Sequence, residues 1–123
     1  MTSIFVRVNT ALATLSPAIP FALGQYITAS GADLPDTFIA YTLVSGDPAQ
    51  HANNVETLRE YLVQVSIFAR AGLVTLPAVD AAMLAAGFTK GSERQLAYDK
   101  ETRHFGLATD YNYLEDLLGG QNG

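Results

Sequence analysis

Residues Tyr61 to Phe68 carry the plainest structural signal in the chain. Tyr61, Val63, Val65 and Ile67 alternate with Leu62, Gln64, Ser66 and Phe68. That period of two sends successive side chains to opposite faces of a sheet, so this segment is a β-strand and the fold around it must supply partners. Phe38 to Ser45, rich in β-branched and aromatic residues, is the first of these and is expected to stop at Gly46-Asp47-Pro48. Between the two strands lie a dozen polar or small residues, DPAQHANNVETL, long for an ordinary hairpin loop and short of large apolar anchors. Phe21 to Thr28 is a shorter strand candidate broken by Gly24, followed by a turn at Ser30-Gly31-Ala32-Asp33. Glu93–Lys100 and Arg103–Tyr113 form a further hairpin about Glu101-Thr102. In its second strand Phe105, Leu107, Thr109, Tyr111 and Tyr113 share one face, opposite His104, Gly106, Ala108 and Asp110.

Two segments have the helical period instead. Ser3 is placed to cap a helix in which Ile4, Val8, Leu12 and Leu15 line one side and Arg7, Thr10 and Thr14 the other, ending before the Ser16-Pro17 and Ile19-Pro20 pairs. Thr75 to Ala86 predicts a second helix, with Pro77 in its first turn and Gly87 as a left-handed stop after which Phe88 packs back on Met83. The order α-β-β-β-α-β-β, with long hairpins, predicts an α+β domain over residues 1–118. It is an antiparallel sheet of four to five strands with two helices and a long hairpin loop between strands two and three. Residues 119–123 are expected to be a flexible tail.

Composition narrows the function classes. The chain has 123 residues, enough for one domain that buries about 65% of its unfolded surface. Only 15% of its residues are charged against 49% apolar, which excludes a disordered chain. There is no Cys, so disulfides, thiolate catalysis and Cys-based zinc are excluded. The net charge of −5 argues against direct nucleic-acid binding, since no Lys/Arg stripe replaces phosphate counterions. No apolar stretch approaches the ~20 residues of a membrane span, and Arg7 lies inside the N-terminal apolar segment rather than before it, unlike a signal peptide. Charge is also unevenly placed. Residues 33 to 60 hold Asp33, Asp36, Asp47, Glu56 and Glu60 against Arg59, whereas 1–32 carry only Arg7 and 61–89 only Arg70 and Asp80.

No catalytic pattern is legible. His51 and His104 are the only imidazoles, and neither has a neighbour at metal-ligand spacing. Nucleophile-elbow, Walker, zincin and dinucleotide motifs are absent. Asp99 and Glu101, beside Lys100 and Arg103, read as a turn-end charge cluster rather than an acid–base pair. No enzyme, metal or cofactor is expected. An apolar domain with a polar protrusion suits contact with copies of itself and with neighbours. The residues expected at such contacts are Asp47, Pro48, Gln50, His51, Asn53 and Asn54 in the loop, and Ile4 and Arg7 on the charge-poor first helix.

Three segments, LPDTFIAYTLVSGDPAQHANN (34–54), REYLVQVSIFAR (59–70) and AAGFTKGSERQLAYDKETRHFGLATDYNYLE (85–115), carry a further pattern. Asp36-Thr37-Phe38 opens a strand; Pro48, Ala49, His51 and Ala52 mark a polar loop; Tyr61, Gln64 and Val65 mark the next strand. Ala86-Gly87-Phe88 ends a helix, and Tyr98 and Thr102 mark the final hairpin. In this order the chain resembles the tail-completion proteins of tailed bacteriophages, the small neck proteins called tail terminators or head-to-tail joining proteins. Where that family ends on a more basic strand, this chain has Asp110-Tyr111-Asn112-Tyr113.

The resemblance implies a virion structural protein, assembled in the host cytoplasm and forming a ring, usually a hexamer. The ring stacks on the last ring of the tail tube and meets a head-closure or other neck protein, and DNA passes through its lumen without specific binding. It implies no catalytic residue. Acidic side chains near such a channel would discourage sticking, and the loop 46–58 would extend onto an adjacent ring and order there. The alternatives are a head-closure or other minor tail protein and, more remotely, a small binding domain or enzyme.

Overall fold

A computed structural model of the protein describes residues 3–16, 18–24, 34–52 and 55–116, with 49–52 and 55–57 described as backbone. Its elements are α1 (Ile4–Leu12), β1 (Phe21–Leu23), β2 (Thr37–Ala52), β3 (Val55–Ala69), α2 (Val79–Ala85), β4 (Thr89–Asp99) and β5 (His104–Asp116). The five strands form one sheet in the order β1-β2-β3-β5-β4, and both helices pack on one face of it. The class is α+β, as expected, with one correction: β1 runs parallel to β2, so the sheet is mixed. β1 also stops at Leu23, where Gly24 takes φ +80, and positions 25–28 of the expected strand lie outside the described residues.

The core lies between this sheet face and the helices. Register places Ile39 opposite Ile67, Tyr41 opposite Val65, and Val63 opposite Tyr111, so their side chains share the helix-bearing face. Val8 and Leu12 of α1 and Val79 and Met83 of α2 close over them, all fully buried. α1 forms where predicted because the Ser3 hydroxyl accepts the Phe5 N–H at 3.1 Å, satisfying one of the orphan donors of the first turn. α2 is shorter than predicted. Pro77 precedes it instead of entering its first turn, and Ala78 offers no side-chain cap, so helical pairing begins only at Val79. Its end is as expected: Gly87 adopts φ +97, the Phe88 N–H donates to the Met83 carbonyl at 3.0 Å, and both side chains lie in the core.

The second correction concerns the connection between β2 and β3. The ladder does not stop at Gly46-Asp47-Pro48. Gly46 pairs with Tyr61, Asp47 with Glu60 and Pro48 with Arg59, and pairing continues to Ala52 opposite Val55. The expected loop is thus an arm in which Ser45–Ala52 of β2 pairs with Val55–Leu62 of β3; β5 flanks it as far as Leu58 opposite Asp116, only the end beyond is two-stranded, and its tip positions 53–54 lie outside the described residues. Pro48 is tolerated because, among the described residues, β1 covers β2 only as far as Tyr41 and the arm's outer side is a sheet edge, and because a register shift follows at Gln50. Another shift between Leu43 and Ser45 adds twist at the arm's root.

Candidate interaction surface

The arm is fixed to the body by packing at its root. Gly46 lies against the ring of Tyr61 so closely that a Cβ there would sit 3.0 Å from two ring carbons. The Arg59 guanidinium donates to the Gly46 carbonyl at 2.8 Å, bracing the two strands. On the same face Arg59 is in register with Glu115, and Glu115 accepts from Arg7 of α1 at 3.2 Å. Arg7 also lies over the Tyr113 ring, 4.7 Å from its centroid. Two elements near the chain's opposite ends therefore meet at one charged joint beneath the arm.

The contact residues expected from the sequence separate into groups. Asp47 and Pro48 are exposed on β2. Gln50 and His51 lie on the same strand, in register with Leu58 and Glu56, while Asn53 and Asn54 lie outside the described residues. Ile4 is only 5% exposed and belongs to the core, and Arg7 is turned inward to Glu115 rather than outward. α1 instead presents Phe5 and Val6, the latter 52% exposed, two apolar residues the sequence reading passed over because they fall off the Ile4-Val8-Leu12 stripe. The lack of charge along Tyr61–Ala69 of β3 is accounted for within one chain, because this stretch is an interior strand flanked by β2 and β5.

Asp47 and Glu60 form a feature the sequence reading did not anticipate. They are register partners, both exposed, on the face away from the helices and beside the half-exposed Leu114. Like charges directly opposite on a ladder repel, so this pair costs the isolated chain some stability. Only the register reveals it, since the two residues are remote in sequence.

Two further clusters are structural. Asp80 at the start of α2 accepts from the Tyr111 hydroxyl and from Lys90 Nζ, the latter at 2.8 Å, pinning α2 to β5 and β4. Burial would raise the Asp80 carboxyl, but the hydrogen bonds from Lys90 and Tyr111 and the charge of Lys90 hold it below the usual carboxylate value. Burial, and then the bond to Asp80, push the Tyr111 phenol up. At the β4–β5 turn Asp99 Oδ1 accepts from the Thr102 and Glu101 amides, which holds that carboxyl below its ordinary value. The turn-end reading of this cluster follows the geometry. An open apolar cleft of about 660 Å³ lies between the end of α1 and α2, lined by Leu15, Ile19, Leu76, Ala81 and Ala85 among others.

Among the described residues no three His, Asp or Glu side chains are grouped to hold a metal ion, and no helix is long and apolar enough to cross a membrane. No protein-family model matches the chain, and no curated protein matches it.

Proposed function

We propose that the protein is a structural virion component of the tail-completion type. Six copies form a ring on the last ring of the tail tube, and the ring joins the tube to a neck protein of the head. The observation that carries this reading is the β2–β3 arm, a ladder braced by Arg59 that runs past the core to Ala52 opposite Val55, with no strand among the described residues paired to the outer edge of β2 beyond Tyr41. An arm of that kind reaches a neighbouring copy head-to-tail, the contact type that closes into a ring when the rotation fits. The exposed Phe5 and Val6 on α1 give the neighbour an apolar surface to cover. The Asp47–Glu60 pair keeps the arm from adhering to DNA passing through the lumen, because phosphates and carboxylates repel.

Deletion of the gene tests the reading. It should leave filled heads without tails, and free tubes, where they form, longer than normal because nothing stops their growth. Tails of normal length beside heads that leak DNA would assign the protein to head closure instead.

A further inference from the structure

β4 is the last strand of the sheet, and all its residues except Leu96 are exposed. Its outer edge has no partner strand among the described residues, and neither has the outer edge of β2 beyond Tyr41. The two open edges match in length. Setting aside Thr37–Tyr41 from the 16 residues of β2 leaves Thr42–Ala52, eleven positions, and β4 has 11. They also match in direction. The pairs β2–β3, β3–β5 and β5–β4 are each antiparallel, so β4 runs opposite to β2. A second copy brought alongside by rotation about an axis broadly along the strands therefore lays its β2 antiparallel on β4, with the helices of both copies on the same side.

Full overlap of the two edges, Thr89 opposite Ala52 and Asp99 opposite Thr42, sets Arg94 opposite Asp47. Both side chains are exposed on the sheet face away from the helices, Arg94 through its register with Ala108 and Asp47 through its register with Glu60. On the helix-bearing face the same overlap sets Glu93 opposite Pro48, whose own register partner is Arg59. Unlike charges thus face each other on both sides. From this match we infer that β4 of one copy pairs edge to edge with the β2 arm of the next, Arg94 against the neighbouring Asp47. The inference rests on the ring proposed above and names its joint.

In the single chain Arg94 donates to Gln64 and lies 3.6 Å from Asp110, while Asp47 faces Glu60. The joint brings a guanidinium beside that repelling pair, so a cost in the free arm becomes an attraction in the assembled one. Charged side chains and two register shifts on β4 guard its edge against indiscriminate pairing, which makes the acidic arm the selected partner. Closure is consistent with the geometry. Within one chain Arg94 is level with Ser66, six residues along β3 from Glu60. Joining copies at Arg94 and Asp47 displaces each by about 20 Å along the strands over a width of four strands, about 19 Å. The resulting tilt of about 45° is at the upper end of what closed sheets adopt. Pro48 has no N–H to donate, so each joint is weak alone and depends on the closed set.

Cross-linking tests the joint directly, because the chain has no Cys of its own. The same overlap sets Leu96 opposite Ser45. Ser45→Cys with Leu96→Cys, oxidised at millimolar protein, should give a covalent ladder that ends at six copies. Either single variant should stay monomeric, and a mixture of the two singles should stop at dimers, the mark of a head-to-tail contact. Arg94→Glu in the double-Cys protein should lower the ladder yield about fivefold, and adding Asp47→Lys should restore it. Dimers from a single variant, no ladder from the double, or no rescue by the charge swap would each overturn the joint. Six-copy rings without cross-links would overturn the joint and leave the ring reading standing; a ladder that runs past six would support the joint and contradict the ring. If the double-Cys protein does not fold, light scattering of the Arg94→Glu variant and the charge swap at the same concentration decides: loss of association and its rescue support the joint, and their absence overturns it.

Discussion

Arg7 of α1 and Glu115 of β5 are 108 positions apart in the chain and 3.2 Å apart in the fold. Their side chains are 17% and 7% exposed, so the pair is largely withdrawn from water at the point where the helix layer meets the root of the arm. A pair in that position says little about net stability, because desolvation offsets attraction, but removing one member strands the other. Here it also removes the cation over Tyr113.

Glu115→Ala should therefore cost about 3 kcal/mol in urea unfolding, with Arg7→Ala close to it. Arg7→Met with Glu115→Leu, replacing both charges by apolar groups, should recover most of that loss. Single substitutions that each cost under about 0.5 kcal/mol would show that the joint does not hold α1 to β5.

Gly87→Ala should destabilise by about 1–2 kcal/mol, since a left-handed residue gains a Cβ. The new carbon would also stand 3.3 Å from the Tyr113 ring. Gly24→Ala has the same backbone conflict but nothing within 4 Å, so the difference between the two variants measures the steric part. Equal losses would mean that Tyr113 yields freely.

Asp47→Asn should stabilise the isolated protein by about 0.2–1 kcal/mol, because it removes the repulsion across the ladder from Glu60. The gain should shrink as salt is raised from 0.01 M to 1 M, where screening shortens from about 30 Å to about 3 Å. A loss of stability would mean that the carboxylate has a favourable partner in the free chain.

Acid should weaken the fold through Asp80 and Asp99. Both have folded-state values below the ordinary one, so each binds its proton more readily in the unfolded chain. Their contribution is present above about pH 4 and is lost as pH falls through the depressed folded values. Asp80→Asn and Asp99→Asn should each flatten the low-pH limb of a stability profile and leave its slope above pH 6 unchanged. An unaltered acid limb in both variants would remove these residues from the account.

The sheet and its helices were legible where side-chain period and burial coincide, as along Val63-Val65-Ile67 and Ile4-Val8-Leu12, all of which lie in the core. The arm was not legible, because Gly46, Asp47 and Pro48 each signal a break and only their pairing with β3 overrides it. The parallel pairing of β1 was hidden for a related reason: three residues hold no record of direction. Arg7 looked solvent-facing because its partner is remote in sequence, and the Asp47–Glu60 pair depends on a register that bulges set. Local chemistry wrote the elements, and distant contacts decided which surface each presents.

The central claim is the ring, and electron-microscopic reconstruction of the intact particle tests it most directly. Density for this chain should appear as six copies around the tail axis, in one layer between the last tube ring and the neck, with each β2–β3 arm lying on the adjacent copy or ring. A single copy, a position away from that layer, or particles that lack the chain would contradict it.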